Sequence, residues 1–220
     1  SLNAQTTALA RSHAESIGLW VAARQQVVRS MAATADLPDP VEALKQAKIA
    51  GGVDTAYVGF PDKRMIFSTP QDLPAGYDPT IRPWYQQAAA SSSVALTEPY
   101  LDAATKKLVI TFAGAVKDGS NVKAVTALDV FMDGVSSNVA SIRPTPNTFG
   151  FIVSKGGKVM VHENLDKVLK PVTEIAPALG ATELANLSKD SLADIAVDGV
   201  DRLVHVEPIP GTEWLLAVAL

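Results

Sequence analysis

Apolar residues in the first 37 positions recur mostly in steps of three and four. Leu9, Ile17, Trp20, Val27, Val28 and Met31 follow this rhythm, with alanine in many of the gaps. A helix turns once in about 3.6 residues, so the pattern predicts one long helix over 1–37, closed by Pro38 and Pro40. A short second helix is expected at about 41–49, stopped by Gly51-Gly52. The rhythm then changes to strands. Tyr57–Phe60 and Met65–Phe67 flank the turn PDKR and read as a hairpin. Two longer apolar runs, Lys107–Val116 and Val122–Phe131, flank KDGSN and read as a second hairpin. Met132–Ile142 returns to a helical pattern, and RPTPN at 143–147 reads as a linker.

After that linker the order repeats. Phe151–Val153 and Val159–Val161 mirror the first hairpin about 94 positions later. Leu203–Val206 and Trp214–Leu220 mirror the second pair at nearly the same offset. The expected fold class is therefore α+β. A long N-terminal helix (1–37) is followed by two related modules, 38–143 and 144–220, each an antiparallel sheet with flanking helices.

Composition changes this picture little. The chain is 47% hydrophobic and 19% charged, which suits a packed core. A net charge of −4, with no basic run longer than Lys106-Lys107, argues against a nucleic-acid partner. The chain has no cysteine, which removes disulfides, thiolate metal sites and cysteine catalysis. No apolar stretch is long enough to span a bilayer, yet both ends look cut from something longer.

The candidate chemistry lies in the middle of the first module. Residues 77–88, YDPTIRPWYQQA, gather Tyr77, Arg82, Trp84 and Tyr85 around two prolines. The prolines forbid a regular helix or a central strand there, so a shaped loop running into a helix at Pro83 is expected. A guanidinium beside hydroxylated aromatics suits a small carboxylate; the alternative is an aromatic cap on the core, with Arg82 stacked on Trp84. Asp129 sits in the apolar strand VTALDVFM, where an ionised carboxylate is costly unless paired. It could cap the following helix, pair with a buried arginine, or await a cation brought by a ligand. Arg82 for an anion and Asp129 for a cation, walled by Tyr77, Trp84, Tyr85 and Tyr100, would suit an α-amino acid. The corresponding stretch of the second module, 163–199, contains no aromatic residue, so any site is expected in the first.

The ordered set Tyr77, Arg82-Pro83-Trp84-Tyr85, Glu98-Pro99-Tyr100-Leu101-Asp102 and Asp129 resembles the double Cache sensor domains of bacterial methyl-accepting chemotaxis receptors. It is most similar to their amino-acid-sensing branch. The resemblance covers the whole chain and implies two PAS-like Cache modules, a membrane-distal one with the ligand site and a membrane-proximal one without. It implies that Arg82 and Trp84, helped by Tyr77, hold a ligand carboxylate. Asp129 would hold the ammonium with Tyr85 and Tyr100 nearby, and Asp102 would join the ligand-binding set. It further implies a periplasmic domain flanked by transmembrane helices, a homodimer in the full receptor, and no cofactor, metal or catalytic residue. Tyr57, Phe67 and Ser68 are expected on the far wall. None is acidic, which favours one amine and one carboxylate over a polyamine, while γ-aminobutyrate and biogenic amines stay open. The wider family also feeds histidine kinases and cyclases.

Other signals carry less. His13, His162 and His205 lack metal-ligand spacing. Ser91-Ser92-Ser93 has no nucleophile elbow, and Gly156-Gly157 reads as a hairpin turn. A structural dimerisation module built on the long helix is the competing non-sensor class.

Overall fold

A 29-residue helix, α1 (Leu2–Ser30), opens the chain in a computed structural model that describes residues 2–143, 146–189 and 192–220. Ala10, Ala14, Val21 and Val28 form its buried stripe; of the larger apolar residues whose spacing marked the helix only Val28 lies on it, with Leu9 exposed and Ile17, Trp20 and Val27 partly buried. The α-helix is shorter than the expected 1–37, because the chain tightens into a 3-10 turn over Met31–Asp36 before Pro38. The second helix, α2 (Val41–Gly51), stops where Gly52 turns left-handed at φ 58°.

The first sheet holds β1 (Thr55–Gly59), β2 (Met65–Phe67), β3 (Ala95–Leu96), β4 (Tyr100–Leu101), β5 (Leu108–Asp118) and β6 (Asn121–Phe131). Between β2 and β3 lies α3 (Pro83–Ala89), and α4 (Met132–Ala140) follows β6. The sheet is antiparallel in the order β2-β1-β6-β5-β3, with β4 also on β5. β5 and β6 meet at the turn after Asp118, and their register shifts by one residue at Val116/Lys117. This bulge decides which residue faces Asp129.

The second sheet holds β7 (Phe149–Ser154), β8 (Val159–Val161), β9 (Leu192–Val197), β10 (Val200–Pro208) and β11 (Trp214–Ala219), with α5 (Ala181–Leu187) before β9. Its order, β8-β7-β11-β10-β9, reproduces that of the first. The repeat read as two hairpins per module is thus a repeat of topology. α5 and β9 were not anticipated, although Gly180 precedes the helix and the left-handed Asp198-Gly199 turn joins β9 to β10. Part of the expected linker 143–147, Pro144 and Thr145, lies outside the described residues.

Internal contacts divide the chain into two units, Ala22–Met132 and a second made of the chain up to Val21 with Asp133–Leu220. One face of the second unit's sheet is filled by aliphatic side chains, including Val172, Ile175, Leu179 and Leu184. In the same unit His205 Nε2 lies 2.7 Å from Glu207 Oε1, and Arg11 Nε is 3.6 Å from that oxygen. The buried His205 and Glu207 thus share one hydrogen bond, which the half-exposed Arg11 flanks from the helix. Among the described residues no three His, Cys, Asp or Glu side chains are grouped to hold a metal, and no helix is long and apolar enough to cross a membrane.

Candidate functional site

The loop before α3 is built by its own polar and proline residues. Asp78 Oδ1 accepts hydrogen bonds from Thr80 N at 2.9 Å and Thr80 Oγ1 at 2.7 Å, closing a turn that Pro79 opens. Arg82 N then donates to Pro79 O, and the extended Arg82 passes the chain to Pro83, the first helical residue. This delivers Trp84 and Tyr85 inward in the first turn of α3, with Ala88 one turn further on. All three join a cluster with Tyr57, Ala113, Val125 and Ala127 on the sheet.

Trp84 is 2% exposed and is the hub. Tyr57 meets it edge-on at 5.1 Å between centroids and Tyr85 at 5.7 Å, while Phe67 tilts against Tyr57 at 5.3 Å. Edge-to-face packing sets the positive rim of one ring against the negative face of the next. The close fit depends on Gly59 in β1. A Cβ there would lie 2.9 Å from both Trp84 Cη2 and Met65 Sδ.

Asp129 lies in the centre of the first sheet, between Thr55 of β1 and Thr111 of β5, and is 5% exposed. It does not cap α4. Its Oδ1 accepts from Tyr57 OH at 2.7 Å and from Thr111 Oγ1 at 2.7 Å. Tyr100 OH is 2.5 Å from the same Thr111 Oγ1. A hydroxyl has one proton, and Thr111 spends its own on Asp129, so Tyr100 donates to Thr111. Three hydroxyls are therefore ordered toward one carboxylate oxygen. Both hydrogen bonds fall on Oδ1, and neither comes from a cation. Burial pushes the Asp129 carboxyl up to about 7, against the pull of the two hydroxyls, with Asp102 and Asp54 adding repulsion. Burial and the charge of Asp129 also raise Tyr57 and Tyr100, which stay protonated donors.

Arg82 stands apart from this acid. Its guanidinium carbon is 5.9 Å from the Tyr100 ring centroid, and its buried Nε has no hydrogen-bond partner among the described residues. Tyr100 thus lies beside the cation with its ring and joins the acid's relay with its hydroxyl. Tyr77 is next to Trp84 and Arg82 and feels the charges of Asp129 and Asp102, with burial raising its phenol. Asp102 faces the same region, but its Oδ2 accepts from Thr105 N and Oγ1, which holds the turn after β4. Tyr85 lies behind Trp84; the charge beside its hydroxyl is Asp78 rather than Asp129.

The structure therefore brings Tyr77, Arg82, Trp84, Tyr100 and Asp129 together, with Asp102 at the margin and Tyr85 as backing. It adds Thr111, which the sequence reading missed, and makes Tyr57 a hydrogen-bonding partner of Asp129 rather than only a wall. Ser68 instead accepts from Ala56 N and ties the end of β2 to β1. Chemically, a buried acid whose carboxyl is pushed up by burial and a cation with a free donor flank an aromatic cluster. An acid and a cation placed on either side of Tyr100 are of the right kind to meet a molecule that carries both charges.

Residues 54–136 match a family described as methyl-accepting chemotaxis protein-like, first PDC sensor domain. The chain is 31% identical over 94% of its length to the methyl-accepting chemotaxis protein PscA of Pseudomonas syringae. It is 26% identical over 94% of its length to PctB of Pseudomonas aeruginosa. It spans 33% of the length of each of these receptors. Its fold superposes on the ligand-binding domain of the Pseudomonas fluorescens chemoreceptor CtaA in complex with L-alanine. That match has a TM-score of 0.86 and 27% identity and covers 100% of this chain and 97% of the other. The PctB ligand-binding domain with L-arginine matches at a TM-score of 0.85 and 25% identity, covering 100% of this chain and 94% of the other.

Proposed function

Because the chain carries a methyl-accepting chemotaxis protein-like PDC sensor domain within a double Cache-like fold, we propose that it is the ligand-binding domain of a transmembrane chemoreceptor and that it binds L-amino acids. The observation that carries this reading is the placement of Arg82 and Asp129 about one tyrosine, Tyr100, beside an aromatic cluster. The ligand carboxylate pairs with Arg82, beside Trp84 and Tyr77. The ammonium pairs with Asp129, whose other oxygen is already held by Tyr57 and Thr111. The role is non-catalytic. The solved domains with L-alanine and L-arginine support an amino acid as the ligand class. The module 38–143 takes the membrane-distal, ligand-binding position and 144–220 the proximal one, in a periplasmic domain of a membrane-anchored homodimer. Binding signals by favouring one of two receptor states, to the extent that its affinity for them differs.

Calorimetric titration against the twenty L-amino acids tests this. The best small ligands gain about −1.5 kcal/mol per heavy atom, so alanine, with about six, reaches roughly −9 kcal/mol and a Kd on the order of a micromolar. Asp129→Asn keeps the acceptor for both hydroxyls but loses the charge, and should weaken binding by about 2–5 kcal/mol without unfolding the protein. Absence of any amino-acid binding below about a millimolar overturns the reading.

A further inference from the structure

Resting on that ligand class, we propose that the ammonium enters the site in exchange for a proton: Asp129 is a neutral acid in much of the empty domain and becomes a carboxylate when the ligand arrives. The exchange balances as Asp129–COOH plus R–NH3⁺ giving Asp129–COO⁻···⁺H3N–R plus H⁺, the proton passing to the medium. Each element packed around Asp129 contributes to this. β1 supplies Tyr57 and, just before it, Asp54; β5 supplies Thr111; β4 supplies Tyr100, with Asp102 behind it. Every neighbour in that set is a neutral hydroxyl or another acid. The nearby cation, Arg82, lies against the Tyr100 ring and makes no ion pair with Asp129. A carboxylate this buried, with two hydroxyl donors and no counter-charge, is costly, and a proton removes the cost. Both donors occupy Oδ1, which leaves Oδ2 for the proton in the empty state and for an N–H of the ligand in the bound one. The predicted ligand class therefore narrows to ammonium groups that keep at least one N–H.

The midpoint near 7 sets the scale. Titration with L-alanine and with L-glutamine in buffers of different ionisation enthalpy reads the protons released. The expected number is about one half at pH near 7, approaching one near pH 5.5 and falling toward zero near pH 8.5. Affinity should fall about tenfold per pH unit on the acid side. A ligand-free arm reads the same proton. The folded pKa lies above the usual 3.8, so the folded state holds more protons than the unfolded one between those values. Asp129's contribution to stability is then greatest below about pH 4 and is lost as pH rises through about 7. The melting temperature of the wild type should fall relative to that of Asp129→Asn between about pH 5 and 8. Thr111→Val, which removes one donor from the carboxylate, should move the proton-release midpoint upward. Binding with a buffer-independent enthalpy and a flat pH profile overturns the exchange and leaves the amino-acid reading standing. No binding of either probe at any pH overturns both.

Discussion

Arg82 and Asp129 differ in how the protein treats them, and the difference predicts different mutational behaviour. Arg82 is half-buried, has no ion pair among the described residues, and keeps a free Nε donor. It contributes little to the apo fold beyond its contact with the Tyr100 ring. Arg82→Ala should therefore cost about 2–5 kcal/mol of ligand affinity, upward of thirty-fold in Kd, with a nearly unchanged melting temperature. Arg82→Lys should recover little, because a point charge cannot reproduce the planar fork. Titration and a thermal scan of both variants check this; unaltered affinity in Arg82→Ala would shift the assignment to an amine sensor that relies on Asp129 alone. Arg82, Trp84 and Asp129 were legible as candidates because a cation, a large aromatic and a buried acid are conspicuous against their neighbours. Thr111 was not, since a threonine inside an apolar strand is ordinary β-sheet sequence.

At the scale of elements, the site depends on how closely α3 and the first hairpin approach. Pro79 and Pro83 shape the entry to α3 so that Trp84 points at the sheet, and Gly59 leaves room for its ring. Gly59→Ala would force a methyl against Trp84 Cη2 at 2.9 Å, and Trp84 is enclosed on all sides. It should cost about 1–3 kcal/mol of stability. It should also weaken ligand binding, since the Trp84 ring beside Tyr77 and Arg82 must move. Gly134→Ala in α4 meets open space and should instead stabilise by about 0.5–1 kcal/mol, with affinity unchanged. Chemical denaturation and calorimetry on the pair separate the two effects; equal stability changes would refute the packing argument. The start of α3 at Pro83 was readable from local chemistry. The strands β3 and β4 were not, because two residues each are too few for a pattern to show, and α5 was not, because its seven residues make only about two turns.

For the whole molecule, the candidate ligand residues and the larger aliphatic core lie in different units. Every candidate ligand residue lies within Ala22–Met132. The second unit encloses an aliphatic core around Ile175, which is 1% exposed. Ile175→Ala should cost about 2–5 kcal/mol of stability through the cavity it leaves. Amino-acid affinity measured well below the melting transition should stay the same. A large loss of affinity would mean that the second unit contributes to binding. The repeat of strand order in the two sheets shows that one architecture is used twice, with the Tyr57–Trp84–Tyr85 cluster on the first sheet and a mostly aliphatic core on the second.

The sequence by itself determined the long helix, the paired hairpins and their repetition. These follow from periodicity, proline and glycine positions, and composition, all of which act locally along the chain. Register across the sheet was decided by the tertiary structure. Counted back from the turn at Asp118/Asn121, regular pairing would set Ile110 opposite Asp129. The bulge at Val116/Lys117 moves Thr111 there instead. That one-residue slip exchanges an aliphatic side chain for a hydroxyl beside the acid, and with it completes the relay from Tyr100. Tyr57 reaches the same oxygen only because β1 pairs with β6, a strand 72 residues away by the Tyr57–Asp129 separation. Contacts of that span are set by strand pairing, and a pattern read along one strand contains no record of the residue on the next.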